Sequence, residues 1–266
     1  MVILAGVLGW LVGVIINLLS DSLPDTNRAP HVPQCPACTA PRPLLAWSGI
    51  LAAISRSWAC PYCRTPRLWR ALWVEVAAIL GSILILYWSF SSFSFAAALI
   101  IGGIYLLIVV IDVEHRLILH VVTFPSMGLI FIISALDPRM GWKKALIGGA
   151  VGFILFLLLY LLGGVFAKWV SRRRGEPLDE VPFGFGDVTL ATLIGITVGF
   201  PGVIEALLRG MIYGGIFSIL FILSMVIRKR YSAFIPIPYG PFLVLGSMVV
   251  YFSGWTALER ILQMTP

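Results

Sequence analysis

The sequence has little charge. Asp, Glu, Lys and Arg make up only 12% of its 266 residues, whereas soluble globular domains carry about 25% charged residues. Hydrophobic residues account for 59% of the chain, and the mean hydropathy is +0.98. This composition excludes a soluble globular protein and predicts an integral membrane protein, for which the lipid bilayer is a partner.

Several common functional motifs are missing as well. The sequence contains no HExxH metalloprotease motif, no glycine-rich phosphate loop and no visible internal repeat. Its Ser, His and Cys residues do not cluster with the acids of the apolar segments, as a nucleophilic triad would require. The net charge of +7 does not indicate a nucleic-acid partner, because the basic residues lie between apolar runs, where they determine topology.

Long apolar runs are abundant instead. They predict an all-α integral membrane fold with about eight transmembrane helices, since one span needs about 20 apolar residues. The predicted spans are residues 2–20, 71–90, 93–111, 119–136, 143–166, 187–204, 209–227 and 238–256. No basic segment precedes the first apolar run, so we expect residues 1–20 to be a retained transmembrane helix rather than a cleaved signal peptide.

The basic residues predict the orientation of these helices. When the segment after the first span and every second segment thereafter are placed on one side, that side holds fourteen of the 19 Lys and Arg residues. The opposite side holds the other five. The positive-inside rule places the richer side in the cytoplasm, so we expect both termini to lie outside.

Four cysteines occur in the one sizeable polar segment, residues 21–70. They form two CxxC pairs, Cys35/Cys38 and Cys60/Cys63, with 21 residues between the pairs. Four thiolates at this spacing match a tetrahedral structural zinc site, and disulfides are disfavoured in the cytoplasm. We therefore expect a small cytoplasmic zinc-ribbon-like module that the metal helps to fold. Four unligated thiols or a redox pair are the alternative.

Two further assignments concern His31 and the chain after the cysteine segment. His31 lies in the polar segment, but four cysteines already supply a complete ligand set, so we expect an ordinary loop residue there. Residues 71–266 contain the other seven predicted spans. They are predicted to form a seven-helix membrane core.

Two acids adjoin apolar runs. Asp187 follows Gly184 and Gly186 at the start of one apolar segment, and Asp112 ends another. An acid at the edge of the hydrocarbon is a functional-site hypothesis, and the predicted topology puts both acids at the cytoplasmic face. The glycines would let backbone or a substrate approach closely. The alternatives are a solvated helix end for Asp112 and a first-turn acid stabilised by the helix dipole for Asp187.

A pair of carboxylates has a defined chemistry. Two that share a site cannot both ionise easily, so one holds a proton while the other stays charged. The charged member can take a proton from water, while the protonated member hydrogen-bonds a scissile carbonyl. Such a pair predicts peptide hydrolysis without a covalent enzyme intermediate.

Glu75 is a third acid within an apolar run, about one turn inside the second predicted span. Such an acid needs a partner in the membrane. Two interpretations stay open at this point: Glu75 pairs with Arg70, or it supports the active site.

In their order along the chain, these residues resemble the type IV prepilin peptidases, intramembrane aspartic proteases that process type IV pilins and type II secretion pseudopilins. The resemblance covers nearly the whole chain. Its parts are Gly13, Asn17 and Leu23-Pro24, the two cysteine pairs, Arg70, Val74-Glu75, Ile111-Asp112, Gly184-Phe185-Gly186-Asp187-Val188, and Ile237-Pro238-Tyr239-Gly240-Pro241-Phe242. The GxGD box alone is a weak motif, but the ordered set is specific.

The resemblance implies that Asp112 and Asp187 are the catalytic aspartates, with Gly184, Gly186 and Glu75 supporting the substrate or the active site. It implies an enzyme of the bacterial cytoplasmic (inner) membrane that acts on prepilins or pseudopilins. The reaction would remove a short basic leader on the cytoplasmic side, just after a Gly. Many members also methylate the new N-terminal amine, which makes S-adenosylmethionine a candidate cofactor beside structural zinc.

The sequence departs from the usual family pattern at several positions. Three departures leave the aspartates untouched: Ser22 for Arg, Leu119-His120 for Pro-Asp, and Thr189 for Lys. A fourth lies before the third cysteine, where Ser57-Trp58-Ala59 replaces Arg-Gly-Lys. Because Trp58 is bulky and this region is tied to methyl transfer, N-methyltransferase activity stays open.

Two other classes of function compete with a protease. An ion- or proton-coupled transporter would also use membrane acids, but it predicts acids near the bilayer midplane and paired broken helices in inverted repeats. A catalytically inactive scaffold for pilus assembly would not need both aspartates.

Overall fold

The computed structural model of the chain describes residues 1–24, 34–35, 37–55, 57–88, 92–174, 184–229 and 238–253. Within these ranges the regular structure is helical, and β structure is limited to the isolated bridges Gln34–Pro41 and Ala59–Pro66. The elements are α1 (Val2–Ser22), the 3₁₀ turn η1 (Leu44–Ala46), α2 (Gly49–Ile54), α3 (Arg70–Trp88), α4 (Ser92–His115), α5 (His120–Leu136), α6 (Gly141–Arg174), α7 (Phe185–Val198), α8 (Gly202–Ile227) and α9 (Gly240–Ser253). His31, predicted to be a loop residue, lies outside the described residues.

The apolar runs form the long helices, because a helix satisfies its own backbone hydrogen bonds where water is absent. Five of them are long and apolar enough to cross a membrane: α1, α3, α4, α6 and α8. The apolar helices α5, α7 and α9 are shorter. Each of the eight predicted spans overlaps for most of its length with one of these helices. The predicted all-α membrane architecture is confirmed, while the exact count of eight spans stays a prediction.

The largest boundary difference lies between α7 and α8. The sequence predicts one span over residues 187–204, broken by Gly and Pro but tolerated as a membrane helix, whereas α7 ends at Val198 and α8 begins at Gly202. Gly199 has a φ of +67°, in the left-handed region that commonly ends helices. Pro201 then precedes α8 and has no N–H to continue a helix. Composition concealed this turn because membrane helices tolerate Gly and Pro.

The chain divides into two compact units, residues 1–115 and 116–266. The first contains α1 to α4 and the second contains α5 to α9. The predicted domain boundaries at residues 20 and 70 separate the polar cysteine segment from the membrane helices before and after it, and they stay predictions.

In the first unit, α1 and α3 pack closely through small residues. A Cβ built on Gly13 would lie 2.7 Å from the Cα of Glu75. Further along the pair, the Ser82 hydroxyl donates a hydrogen bond of 2.6 Å to the Ala5 carbonyl. Small residues let membrane helices approach in this way. The close approach brings Asn17, one turn beyond Gly13, against the Glu75 side chain.

In the second unit, glycines likewise set the helix contacts. A Cβ built on Gly149 of α6 would lie 2.8 Å from Cγ1 of Ile196 in α7, and one on Gly210 of α8 would lie 2.8 Å from the Cα of Leu243 in α9. A polar contact joins α5 to α7, where the Ser134 hydroxyl donates to the Ile196 carbonyl at 3.1 Å. The contacts at Ile196 hold the C-terminal part of α7, the helix whose first turn carries Asp187.

Candidate active site and metal centre

Asp112 lies in the last turn of α4. Its residue surface is 6% exposed, whereas the neighbouring Val113 is 55% exposed. The side chains of Glu114 and His115, which follow, are 25% and 42% exposed. Asp112 is therefore buried, whereas the charged residues that follow it at the helix end are more exposed. This is expected for an acid that is not part of a solvated cluster.

Arg70 connects the ends of three helices close to Asp112. Its guanidinium donates to the Ser20 hydroxyl at 2.9 Å, forms an ion pair with Asp21 and forms a second ion pair with Glu114 at 2.6 Å. Ser20 and Asp21 end α1, Arg70 begins α3, and Glu114 lies two residues after Asp112. The planar, multi-donor guanidinium suits such a junction. Arg70 therefore ties the end of α4 that carries Asp112 to α1 and α3.

Glu75 does not use Arg70 as its partner. Its side chain is fully buried and accepts hydrogen bonds from Asn17 Nδ2 at 3.1 Å and from the Ser48 hydroxyl at 2.5 Å. The backbone N–H groups of Gly49 and Ile50 donate to the same carboxylate at 2.6 and 3.1 Å. These donors satisfy both oxygens of the carboxylate, so its contacts in the structure are those of a packing residue. The predicted role in active-site support stays a prediction.

Asp187 occupies the third position of α7, as the first-turn interpretation predicts. Its Oδ2 accepts a hydrogen bond of 3.0 Å from the Gly184 N–H, while its own N–H donates to the Gly184 carbonyl at 3.1 Å. This is the backbone half of a capping box, which satisfies a donor at the helix start. The contact fixes the carboxylate at a helix N-terminus, where the dipole favours negative charge.

The two glycines of the GxGD box differ in their surroundings. Gly184 is exposed, and a Cβ built on it would lie 3.9 Å from Oδ2 of Asp187 and from the N of Gly186, its nearest neighbours in the part of the chain that the structure describes. A Cβ on Gly186 would lie 2.8 Å from the Cβ of Ile118. Gly186 is thus required for packing of α7 against the segment that precedes α5, whereas Gly184 leaves open space beside Asp187.

Aromatic residues surround the start of α7. The Phe185 ring makes edge contacts with His120 at 5.7 Å and with Tyr160 at 6.2 Å between ring centroids. Tyr239, immediately before α9, is close enough to Asp187 for the charge of the carboxylate to act on the Tyr239 hydroxyl. Sequence reasoning included Tyr239 in the family pattern but assigned it no role at the site. No spacing rule links it to Asp187, 52 positions earlier in the chain.

The two predicted catalytic aspartates belong to different units. Asp112 is in the first and Asp187 in the second. Their pairing across the two units stays a prediction, as do the roles of Gly184, Gly186 and Glu75 in the site.

The four cysteines come together in two loops of the same construction. In each loop, the N–H of the first cysteine donates to the carbonyl five residues later, and the N–H four residues later donates back to that cysteine's carbonyl. The residues at this fourth position, Thr39 and Arg64, have positive φ angles of 55° and 58°. The repeated C-P-x-C-x-x-P sequence therefore folds into two matching knuckles.

The sulfur positions fit a single metal ion. All four Sγ atoms lie within 4.8 Å of one another, with Cys35 and Cys63 separated by 3.5 Å and Cys38 and Cys60 by 3.6 Å. A tetrahedron of thiolates with Zn–S bonds of about 2.3 Å has sulfur separations of roughly 3.8 Å. Hydrogen bonds from Thr65 lower the pKa of Cys63 to about 6, which favours the thiolate that a metal requires. The predicted cysteine cluster is confirmed as a set that can hold a metal.

Comparison with known proteins agrees with the resemblance. The sequence model of the type IV leader peptidase family matches residues 99–219, a region that includes both aspartates. The protein named prepilin leader peptidase/N-methyltransferase from Xanthomonas campestris pv. campestris is 28% identical over 144 residues, 54% of this chain and 45% of that relative. Its namesake from Aeromonas salmonicida is 24% identical over 84% of this chain and 69% of that relative.

Longer alignments exist within the same group. The protein of this name from Burkholderia pseudomallei is 24% identical over 93% of this chain and 84% of its own length. No solved structure matches the chain. The chain thus spans less than half of the Xanthomonas relative and more than two thirds of the other two. The family match over the region of both aspartates and these relatives lead to one conclusion: the chain is similar to the type IV leader peptidase family.

Proposed function

We propose that this protein is an intramembrane aspartic endopeptidase that removes the basic leader from type IV prepilins or pseudopilins at the cytoplasmic face of the bacterial inner membrane. Asp112 and Asp187 act as its catalytic pair. The observation that carries the proposal is that the family match contains both acids. The relatives named above are leader peptidases, and the uneven distribution of basic residues favours a cytoplasmic location for both acids.

The local surroundings of each aspartate support this assignment. Asp112 is buried in the last turn of a helix that can span the membrane, and Arg70 restrains that helix end through Glu114. Asp187 is held at a helix start by the Gly184 N–H. Open space at Gly184 would allow an extended substrate to approach this carboxylate, and Gly186 supports it through packing.

The proposed reaction needs no group besides the two carboxylates and water. The ionised aspartate takes a proton from water, whose oxygen attacks the carbonyl carbon of the scissile bond. The protonated aspartate gives its proton to the carbonyl oxygen, which forms a gem-diol. Collapse of the gem-diol breaks the C–N bond: the proton held by the first aspartate passes to the leaving amine, and a hydroxyl of the gem-diol returns its proton to the second aspartate as the new carboxyl group forms. The pair returns to its starting state of one shared proton.

Besides the two carboxylates, the proposal concerns a zinc ion and the methyl donor S-adenosylmethionine. Zinc in the cysteine knuckles would be structural, since the four sulfurs complete its tetrahedron and leave no open position. N-methylation with S-adenosylmethionine is a second activity, supported by the names of the relatives. Trp58, at the position of the usual glycine, packs its ring on Trp69 with 5.1 Å between centroids. Mass spectrometry of the cleaved product decides this point, since an unmethylated N-terminus after incubation with the cofactor would make the protein a peptidase only.

Cleavage of a candidate prepilin by the purified protein in detergent tests the main proposal. We expect leader removal by the native protein and a loss of at least about 100-fold in Asp112→Asn and in Asp187→Asn, because each removes one member of the acid–base pair. Asp137→Asn is the matched control, since Asp137 lies in the turn after α5 and pairs with Arg139. Processing that neither Asp112→Asn nor Asp187→Asn changes would reject the assignment and favour a transporter or a scaffold.

A further inference from the structure

The segment between the two cysteine knuckles has an unusual composition for a polar module. Residues 43–54 contain no charged side chain, whereas Arg42 directly precedes them and Arg56 follows after Ser55 in the sequence. The segment forms η1 and α2. Its exposed apolar side chains include Leu44 at 75% and Ile54 at 75% exposure. In water, such a surface would be costly for a short segment with so few buried contacts.

The depth of this segment along the neighbouring helices can be read from its contacts. Arg70, with its ion pairs to Asp21 and Glu114, marks the polar end shared by α1, α3 and α4. Ser48 instead bonds to Glu75, five residues further into α3, or about 7.5 Å at the helical rise of 1.5 Å per residue. The indole N–H of Trp10, in the middle of α1, also donates to the Ser48 hydroxyl at 3.1 Å. The start of α2 therefore lies on the spanning side of the charged junction.

The packing of α2 also places its first residue on the spanning side of Arg70. A Cβ built on Gly49 would lie 2.7 Å from the backbone of Ala71 and Leu72, so the first residue of α2 lies against the first turn of α3. That turn belongs to a helix long and apolar enough to span the membrane. On the same helix, Trp73 is 65% and Leu84 55% exposed, as expected for side chains that face lipid.

Protein groups pair several backbone groups at the start of α2. A short helix leaves its first N–H groups unpaired, but Glu75 accepts from Gly49 and Ile50 and the Ser48 hydroxyl accepts from Leu51 at 3.2 Å. The carbonyls of residues 46 and 47, before the helix, accept hydrogen bonds from the Arg67 guanidinium. Pairing of these backbone groups by protein lowers the free-energy cost of placing the start of α2 within hydrocarbon.

We propose that residues 43–54 form a short re-entrant segment that is embedded in the bilayer, with lipid acyl chains covering Leu44, Leu45 and Ile54. The occupant is lipid because the start of α2 packs against the first turn of α3, a helix that can span the membrane, and lies on the spanning side of the charged junction. Glu75 then accepts hydrogen bonds from the backbone N–H groups at the start of α2, which lowers the free-energy cost of inserting the segment into the bilayer. The cysteine knuckles on both sides of the segment are held next to the membrane surface as a result. This inference goes beyond peptide cleavage and does not depend on it.

Site-specific photo-crosslinking in vesicles tests the proposal. The photoreactive residue p-benzoylphenylalanine replaces Leu44 or Ile54 in the full chain, which is reconstituted in phosphatidylcholine vesicles and irradiated. Leu84 is the positive control on α3, and Tyr62, 74% exposed on the second knuckle, is the negative control. We expect intact-mass measurements to show lipid adducts for the chains substituted at Leu44, Ile54 or Leu84, and no adducts for the chain substituted at Tyr62.

Two results would overturn the proposal: adducts at Leu84 but at neither Leu44 nor Ile54, or equal adducts at Tyr62. If the substituted chains fail to fold, the unmodified chain can be irradiated with a lipid that carries a diazirine in its acyl tail. Labelled peptides from residues 43–54 would then support insertion. Labelling of α3 peptides without labelling of this segment would reject it.

Discussion

Glu75 in the first unit and Asp187 in the second are both acids of apolar segments, but the protein surrounds them differently. Glu75 is fully buried, and side chains and backbone groups from two other segments donate to both of its oxygens. Among the described residues, the Asp187 carboxylate accepts its hydrogen bond from Gly184 alone, next to open space. A buried acid is therefore not a sign of catalysis by itself. The number of donors to each carboxylate distinguishes Glu75, whose contacts are those of a packing residue, from Asp187, for which we propose a chemical role.

The same contrast extends to helix packing. In the first unit, the polar side chains of Asn17, Ser48, Arg70 and Glu75 add specific hydrogen bonds between segments distant in sequence. The described helices of the second unit meet mainly at glycines, which provide close approach. Because hydrogen bonds demand one register, the first unit should respond to single polar substitutions, and the second to single changes of size.

Among the substitutions that distinguish the two units, loss of the metal should have the largest effect, because the metal is a structural element of the first unit only. In Cys60→Ser we expect metal content to fall from one zinc per chain to none, together with protease sensitivity near residues 34–66. Structural zinc supplies on the order of 10 kcal/mol in small zinc peptides. Elemental analysis of freshly purified protein makes the measurement, with Thr39→Ser as a nearby control that is not a ligand. A native protein without stoichiometric metal would contradict the prediction.

Glu75→Ala should have the next largest effect. The substitution leaves the buried donors of Ser48, Gly49 and Ile50 without an acceptor, and each such donor costs about 1–3 kcal/mol. We expect a large decrease in the unfolding temperature in detergent. The control is Glu205→Ala in the second unit, where the acid pairs with Arg209 one turn away in α8 and such a pair contributes about 0.3–0.5 kcal/mol. Equal effects of the two substitutions would remove the distinction between the units.

Much of this fold follows from sequence, but the partners of Glu75 and Arg70 do not. Apolar length predicts the helices, and repeated C-P-x-C loops predict the metal ligands, because both signals are local. The acceptor role of Glu75 depends on a helix start 26 positions earlier, and the ion pair of Arg70 depends on an acid 44 positions later. Such contacts are decided by packing between distant segments. The helix α2 was not predicted, because its six residues are too few for a periodic signal.

The two glycines of the GxGD box sharpen the comparison within the second unit. Gly186→Ala should destabilise the protein by about 1–3 kcal/mol, the usual cost of overpacking, because its Cβ would meet Ile118 at 2.8 Å. Gly184→Ala should leave the unfolding temperature unchanged, since its extended backbone and open surroundings accept a methyl group. We expect Gly184→Ala to raise KM for a prepilin, because the methyl group occupies space where substrate would approach Asp187.

Thermal unfolding and steady-state cleavage, measured on the same preparations, separate the two glycines. A loss of stability in Gly184→Ala would contradict the open site. Unchanged stability in Gly186→Ala would show that the segment around Ile118 can move aside.

Arg70→Lys should have the smallest effect and tests whether the first unit positions Asp112. A lysine keeps the charge but cannot hold Ser20, Asp21 and Glu114 together through one planar group. We expect kcat to fall by about two- to fivefold, which corresponds to about 0.5–1 kcal/mol for a partly exposed ion pair, with KM and zinc content unchanged. Arg139→Lys, which alters the separate pair with Asp137, is the control and should leave kcat unchanged. A fall in unfolding temperature without a fall in kcat would make Arg70 a stabilising residue only, because a positioning role requires the rate to change while binding of the prepilin does not.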